Sequence, residues 1–355
     1  MITAAFVIPG DITLATGGYV YDRRIMAAIP SHGVELRHLA VPGSFPNPSE
    51  EDLAETARLL AREPGDRVLF VDGLALGAMP ASLLDALRQP IVALCHHPLA
   101  LEAGLAAERA AELKALETAA LRRARHVVVT SPMTRRILAA DFGVPADKIT
   151  VAEPGTDPAK RSLRPVGAPV PQQGPLQLLA VGSVVPRKGY DVLVKALTGL
   201  KDRSWLLTIA GPFDRSPETT AALRAAVAAA GLSDRFRLMG AVGTAELDRL
   251  YGEADIFVMP SLFEGYGMVI AEAIARGLPI VCTTGGAAAE TAPDRAALKV
   301  PPGDAAAFGD ALRRVCDDAG LRAAMADAAW EAGKRLPRWS DTARVIAEVI
   351  RRVAS

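Results

Sequence analysis

The chain reads as an α/β protein of two halves, each a parallel sheet with helices on both faces. Three observations predict this. Short runs rich in Val, Ile, Leu and Phe alternate with longer Ala-rich stretches along the whole sequence. The apolar runs lack strict apolar–polar alternation, as strands covered on both faces do. The pattern breaks once, in a Pro-, Gly- and Gln-rich stretch between Pro154 and Pro175 that reads as a linker.

Taken in order, the first half should hold strands at 2–8, 34–41, 67–71, 91–95, 126–130 and 149–152, with helices at 50–62 and 100–123 among the segments between them. The second half should hold strands at 176–181, 205–210, 236–239, 256–259, 279–283 and 297–300. Its helices include 219–230, 266–276 and 305–318. Strand–helix repetition of this kind builds parallel sheets. The expected domains are 1–160, a linker at 161–175, 176–336, and a terminal helix within 337–355. A chain of 355 residues suits two domains of ~150 each. Two Rossmann-like domains facing each other would set the carboxyl ends of both sheets across a central cleft, where open α/β sheets take ligands.

Composition excludes several functions. Lys+Arg and Asp+Glu are 40 each, so the chain has no net basic charge with which to grip a nucleic-acid backbone. The three cysteines, Cys95, Cys282 and Cys316, are far apart in sequence. They make neither a disulfide scaffold nor a cysteine zinc site, and they suit a reducing compartment. The first ten residues carry no basic run, and no stretch has the ~18 consecutive apolar residues of a membrane span. The expectation is a cytoplasmic protein, with peripheral contact at the inner membrane face left open. Arg122, Arg123 and Arg125 are the candidate basic patch for such contact, although a solvated helix end would look the same.

Four stretches carry chemistry. Residues 260–272, Pro-Ser-Leu-Phe-Glu-Gly-Tyr-Gly-Met-Val-Ile-Ala-Glu, leave an expected strand and open a helix. Gly265 and Gly267 let backbone approach a ligand, and the start of the helix suits a diphosphate. Glu264 lies before the helix and Glu272 about two turns inside it. Two carboxylates so placed can each accept from vicinal hydroxyls, although a capped helix with one solvated Glu has the same spacing. Gly182-Ser183-Val184-Val185-Pro186-Arg187-Lys188-Gly189 follows the first strand of the second half. There Arg187 offers a planar fork and Lys188 a point charge for phosphate oxygens. Cys95-His96-His97-Pro98 ends a strand of the first half, but no familiar zinc spacing surrounds the two histidines. Thr16-Gly17-Gly18 opens the first helix, as a phosphate-facing turn or as a plain cap.

In this order the pieces resemble retaining glycosyltransferases of the GT-B fold, glycosyltransferase family 4. The resemblance is strongest from Leu176 to Val300, through Gly-x4-Arg-Lys-Gly, Ile-Ala-Gly, Ala-Asp-x-Phe-Val-Met-Pro-Ser, Glu-x7-Glu and Gly-Gly-x3-Glu. The first half matches through Gly17-Gly18, His97-Pro98, Val129-Thr130-Ser131 and Pro154-Gly155-x-Asp157. The resemblance implies a nucleoside diphosphate sugar, UDP- or GDP-linked, as co-substrate, a hydroxyl acceptor, retention of anomeric configuration, and no cofactor or metal. It implies that Arg187 and Lys188 hold the diphosphate, Glu264 the sugar hydroxyls and Glu272 the ribose. Gly182, Gly265, Tyr266, Gly267 and Met268 would line the donor pocket, with Arg237 and Met239 near the base. His97 would lie by the reacting centre, and Gly17 and Gly18 would face the diphosphate from the other domain. Residues 339–353 resemble a helix that packs back on the first domain. The sequence departs from the pattern at Ser183, where many members carry Arg; Arg187 is the cation available instead. A GT-B nucleotide-sugar epimerase and a degenerate nucleotide-sugar-binding protein remain as alternatives. A nicotinamide dehydrogenase would need a third glycine that the stretch after Gly265-Tyr266-Gly267 lacks.

Overall fold

A computed structural model describes residues 1–162 and 174–355. Most of the expected linker, 163–173, lies outside the described residues. The chain divides into two compact units, Met1–Gly155 with Pro337–Ser355, and Thr156–Leu336. Residues 156–160, expected with the first half, go with the second. The residues just after them are tied there by Ser162, whose hydroxyl donates to the Gly252 carbonyl at 2.9 Å, and by the ion pair of Arg161 with Asp327.

Unit 1 holds β1 (Ile2–Pro9), β2 (Val34–Val41), β3 (Leu69–Asp72), β4 (Ile91–Cys95), β5 (His126–Val129) and β6 (Ile149–Val151). They form one parallel sheet in the order β2-β1-β3-β4-β5-β6. Its helices are α1 (Gly17–Ala28), α2 (Glu50–Ala61), α3 (Gly73–Leu76), α4 (Ala81–Asp85), α5 (Ala107–Arg123) and α6 (Pro132–Asp141). Every residue of β3, β4 and β5 is buried, which is why these strands read as unbroken apolar runs. Phe6 and Phe70 stack across the β1–β3 pair at 4.6 Å.

Unit 2 holds β7 (Leu176–Val181), β8 (Trp205–Ala210), β9 (Phe236–Gly240), β10 (Ile256–Met259), β11 (Ile280–Thr283) and β12 (Ala297–Val300). They form a second parallel sheet, β12-β11-β10-β7-β8-β9. Its helices are α7 (Tyr190–Thr198), α8 (Pro217–Ala229), α9 (Thr244–Glu253), α10 (Met268–Ala275), α11 (Ala288–Thr291), α12 (Ala305–Asp317) and α13 (Ala319–Gly333). The last helix, α14 (Trp339–Ala354), returns to unit 1. It buries Ile346, Val349 and Ile350 against α1 and the Ile29–His32 turn, each burial stabilising by about 1.5–3 kcal/mol. The Thr342 hydroxyl donates to the Glu153 carbonyl at 2.7 Å, and Trp339 meets Tyr21 edge-on.

Strands form where the apolar runs lie, with ends moved by two residues or fewer. Two helices differ from expectation. The stretch 100–123 is not one helix: a 3₁₀ turn, Leu99–Leu101, precedes α5. The buried Glu117 carboxyl accepts the Leu99 amide at 3.0 Å, and this docks the turn against the side of α5 rather than extending it. The stretch 266–276 narrows to α10, which begins after Gly267. Among the described residues, no helix is long and apolar enough to cross a membrane.

Candidate functional site

The strand order of unit 2 selects the site. From β7 the chain builds outward through β8 and β9, then restarts on the other side with β10, β11 and β12. The strand order therefore reverses between β7 and β10, where open α/β sheets bind ligands. The two strongest sequence motifs leave these two strands: Gly182 to Lys188 follows β7, and Glu264 to Gly267 follows β10.

The structure brings three of the expected residues together there. The Lys188 ammonium lies 2.7 Å from one Glu264 oxygen, and the Arg187 guanidinium 3.4 Å from the other. Arg187 also donates to the Phe263 carbonyl at 2.8 Å, and its own carbonyl accepts the Leu262 amide at 2.7 Å. The two loops are thus laced by backbone as well as by charge. Glu264 is buried. Burial works against its charge, but Lys188 and Arg187 outweigh it and hold the carboxyl at about 2. Glu264 is therefore an acceptor only, with oxygens fixed for hydroxyl or cationic partners.

Local sequence explains the lacing. Gly189 adopts left-handed backbone (φ 63°), and a Cβ there would run into the Pro260 carbonyl oxygen, so only glycine lets the first loop close onto the second. Gly182 lies under the Lys188 stem, where a Cβ would come within 2.9 Å of Cε. The Tyr190 hydroxyl donates to the Gly182 carbonyl at 3.0 Å. On the other side, the Glu264 carbonyl accepts the Ala287 amide at 2.8 Å, which pins the loop to the segment after β11.

Both helices that leave these loops start bare. α7 follows Gly189 and α10 follows Gly267, each without a side-chain cap, whereas Ser or Asp caps α6, α8, α12 and α13. The first turn of α10 holds no acidic residue. Its free amides and positive dipole end are available to an anion, beside Gly265, Tyr266 and Met268.

Glu272 lies little more than one turn into α10, not two, because the helix begins at Met268. Burial pushes its carboxyl up, and Tyr251 donates to it at 2.8 Å. Arg237 and Met239 are exposed on the edge strand β9 and line a groove with Thr208, Arg249 and Leu250. Arg187, Lys188 and Glu264 do not line this groove.

In unit 1, Thr16 caps α1 and so fixes Gly17 and Gly18 at its start. The two histidines part company. The His97 ring lies 2.9 Å from Glu102. The His96 Nε2 lies 3.4 Å from both Asp22 and Asp72, two buried carboxylates that the sequence analysis did not select. The sequence does carry a weak signal: each of the three residues lies at or just after the carboxyl end of a strand, or one turn into the helix that follows.

Comparison with known proteins bears on the family and the fold. The model described as Glycosyltransferase Family 4 matches residues 19–160, and that described as Glycosyl transferases group 1 matches residues 175–318. A 2-deoxystreptamine glucosyltransferase of Streptomyces kanamyceticus is 29% identical over 295 residues, 75% of this chain and 72% of its own. A D-inositol 3-phosphate glycosyltransferase of Arthrobacter sp. (strain FB24) is 33% identical over 58% of this chain and 51% of its own. The chain spans about half the length of most such curated relatives. Among solved structures, sucrose-phosphate synthase from Thermosynechococcus elongatus superposes with a TM-score of 0.84 at 22% identity, covering 99% of each chain. Anabaena HepE in complex with UDP-glucose superposes with a TM-score of 0.78 at 17% identity, covering 99% of this chain and all of the other. With two six-stranded parallel sheets, the expected motifs at the second sheet's switch point and both family models matched, the chain belongs to glycosyltransferase family 4, the group 1 glycosyl transferases of GT-B fold.

Proposed function

We propose that this protein transfers a sugar from a UDP- or GDP-linked donor to an acceptor hydroxyl, with retention of anomeric configuration. The observation that carries the reading is the Arg187–Lys188–Glu264 cluster at the β7/β10 switch point, beside the uncapped start of α10. As the bond to the sugar breaks, negative charge develops on the leaving diphosphate. Arg187, Lys188 and the α10 amides stabilise that charge, and so fill the role a divalent cation would otherwise have at the diphosphate. Glu264 orients the sugar by accepting from its hydroxyls, and Glu272 takes the ribose. HepE, bound to UDP-glucose in its solved structure, supports a donor of this class.

The test is thermal shift of the full chain with UDP, GDP, UDP-glucose and GDP-mannose, paired with release of free nucleoside diphosphate when hydroxyl acceptors are added. Saturation at ~100 times Kd adds ~2.7 kcal/mol of stability, a readable shift. A shift with one nucleotide class, and acceptor-dependent release from its sugar conjugate, is the expected result. A folded protein that shifts with none of the four overturns the reading. Release of free sugar or an epimer without acceptor would instead favour the epimerase.

A further inference from the structure

A second cluster lies wholly within unit 1, and the donor chemistry proposed above makes no use of it. Asp22 lies on α1, Asp72 ends β3, and His96 follows β4. β1, which leads into α1, pairs with β3, and β3 pairs with β4. Parallel topology therefore sets three residues, far apart in sequence, at one end of neighbouring strands. One ligand atom from each lies within 4.8 Å of the other two.

The geometry does not fit a simple ion pair. The His96 Nε2 lies 3.4 Å from Asp22 Oδ1 and 3.4 Å from Asp72 Oδ2. Charge-assisted hydrogen bonds close to about 2.7–2.9 Å, and one N–H cannot point at two carboxylates at once. Asp22 is fully buried, yet among the described residues neither of its oxygens has a hydrogen-bond partner, and the His96 Nε2 has none either. Asp72 differs: its Oδ1 accepts the Leu74 amide at 2.7 Å, which leaves Oδ2 facing the imidazole. A buried carboxylate held only by one long contact, to an imidazole it shares with a second carboxylate, is costly unless something more neutralises it.

A tetrahedral zinc with bonds of about 2.0–2.1 Å spaces its ligands roughly 3.4 Å apart along each edge, which is the spacing found between His96 and each carboxylate. We propose that Asp22, Asp72 and His96 bind a divalent transition-metal cation of the zinc class. Imidazole nitrogen favours such a metal over magnesium or calcium. Two carboxylates balance its charge, and the imidazole binds it as the ring proton leaves. The Tyr21 ring meets the His96 ring edge-on at 5.2 Å, and the Thr130 hydroxyl donates to the His96 carbonyl at 3.1 Å, so the ligand is held in place from two sides. The carboxylates are 0% and 4% exposed and the imidazole 23%, with its Nε2 buried. Gly18 lies against Nε2, where a Cβ would come within 3.5 Å. The ion joins α1 to the ends of β3 and β4, and so positions the Gly17–Gly18 turn.

The test uses untagged full chain stripped with a chelator, with folding checked by circular dichroism. Zn²⁺ is titrated calorimetrically and by thermal shift, and Co²⁺ by visible absorption. One equivalent of bound Zn²⁺, a raised Tm and a Co²⁺ band of tetrahedral intensity are expected. His96→Gln and Asp22→Asn should each weaken Zn²⁺ binding by at least about tenfold. A folded, stripped wild type that takes up no stoichiometric Zn²⁺ and gives no such Co²⁺ band overturns the proposal. So does binding unchanged in His96→Gln. Should Asp22→Asn not fold, the partly exposed His96 and the wild-type Co²⁺ spectrum still decide it.

Discussion

The Lys188 ammonium and a Glu264 oxygen, 76 residues apart in sequence, lie 2.7 Å apart and tie the loop after β7 to the loop after β10. This contact joins the two sides of the switch point and sets an ammonium beside a buried carboxylate. Lys188→Ala and Glu264→Ala should each lower turnover at least about tenfold, ~1.4 kcal/mol of barrier. Steady-state kinetics with the donor found by thermal shift checks this. Near-wild-type turnover in both variants would remove the cluster from the site.

The same carboxyl makes stability depend on pH. Its folded pKa of about 2 lies below its ordinary 4.5. Its contribution is therefore complete above about pH 4.5 and lost as pH falls toward 2, worth about 3 kcal/mol at most. In urea denaturation, the advantage of wild type over Glu264→Gln should shrink steadily across that window. A constant difference would mean that the cations do not hold the charge.

Glu117 should behave in the opposite sense. Burial pushes its carboxyl up to about 8, against the pull of the Leu99 and Ala100 amides. The folded protein keeps a proton that the unfolded chain releases near 4.5, so this stabilisation is complete below 4.5 and lost as pH rises through 8. Glu117→Gln should gain on wild type between about pH 5 and about pH 9. Parallel stability curves for the two proteins would contradict the assignment.

Gly189→Ala should destabilise unit 2 by more than the about 1–2 kcal/mol that left-handed backbone costs an L-residue, because the added methyl also meets the Pro260 carbonyl. Lost donor binding should accompany the lost stability, since the same closure carries Lys188 to Glu264. Denaturant midpoint and nucleotide thermal shift, measured together, report both effects.

Much of this was legible in the sequence, for a physical reason. Strands buried on both faces must be apolar throughout, so each sheet announced its members, and a Gly-rich loop with two cations after the first strand of a domain has few structural uses. Side-chain direction was harder to read. Successive residues at a strand end face opposite ways, so the separate partners of His96 and His97 depend on a register that no pattern supplies. The sequence pointed to His97, which the structure sets against Glu102, while His96 meets Asp22 and Asp72. Those aspartates were missed because strand order, not spacing, gathers residues 22, 72 and 96. The start of α10 was misjudged because Gly267 delays the helix, and so the depth of Glu272 was misjudged too.

The return of α14 to unit 1 sets an order of events during synthesis. Residues 1–155 leave the ribosome ahead of unit 2, without the helix that covers α1 and the Ile29–His32 turn. Residues 156–336 must be translated before that helix appears. The sheet of unit 1 thus emerges before unit 2 and gains its covering helix after it, with an apolar face waiting through the synthesis of an entire second unit.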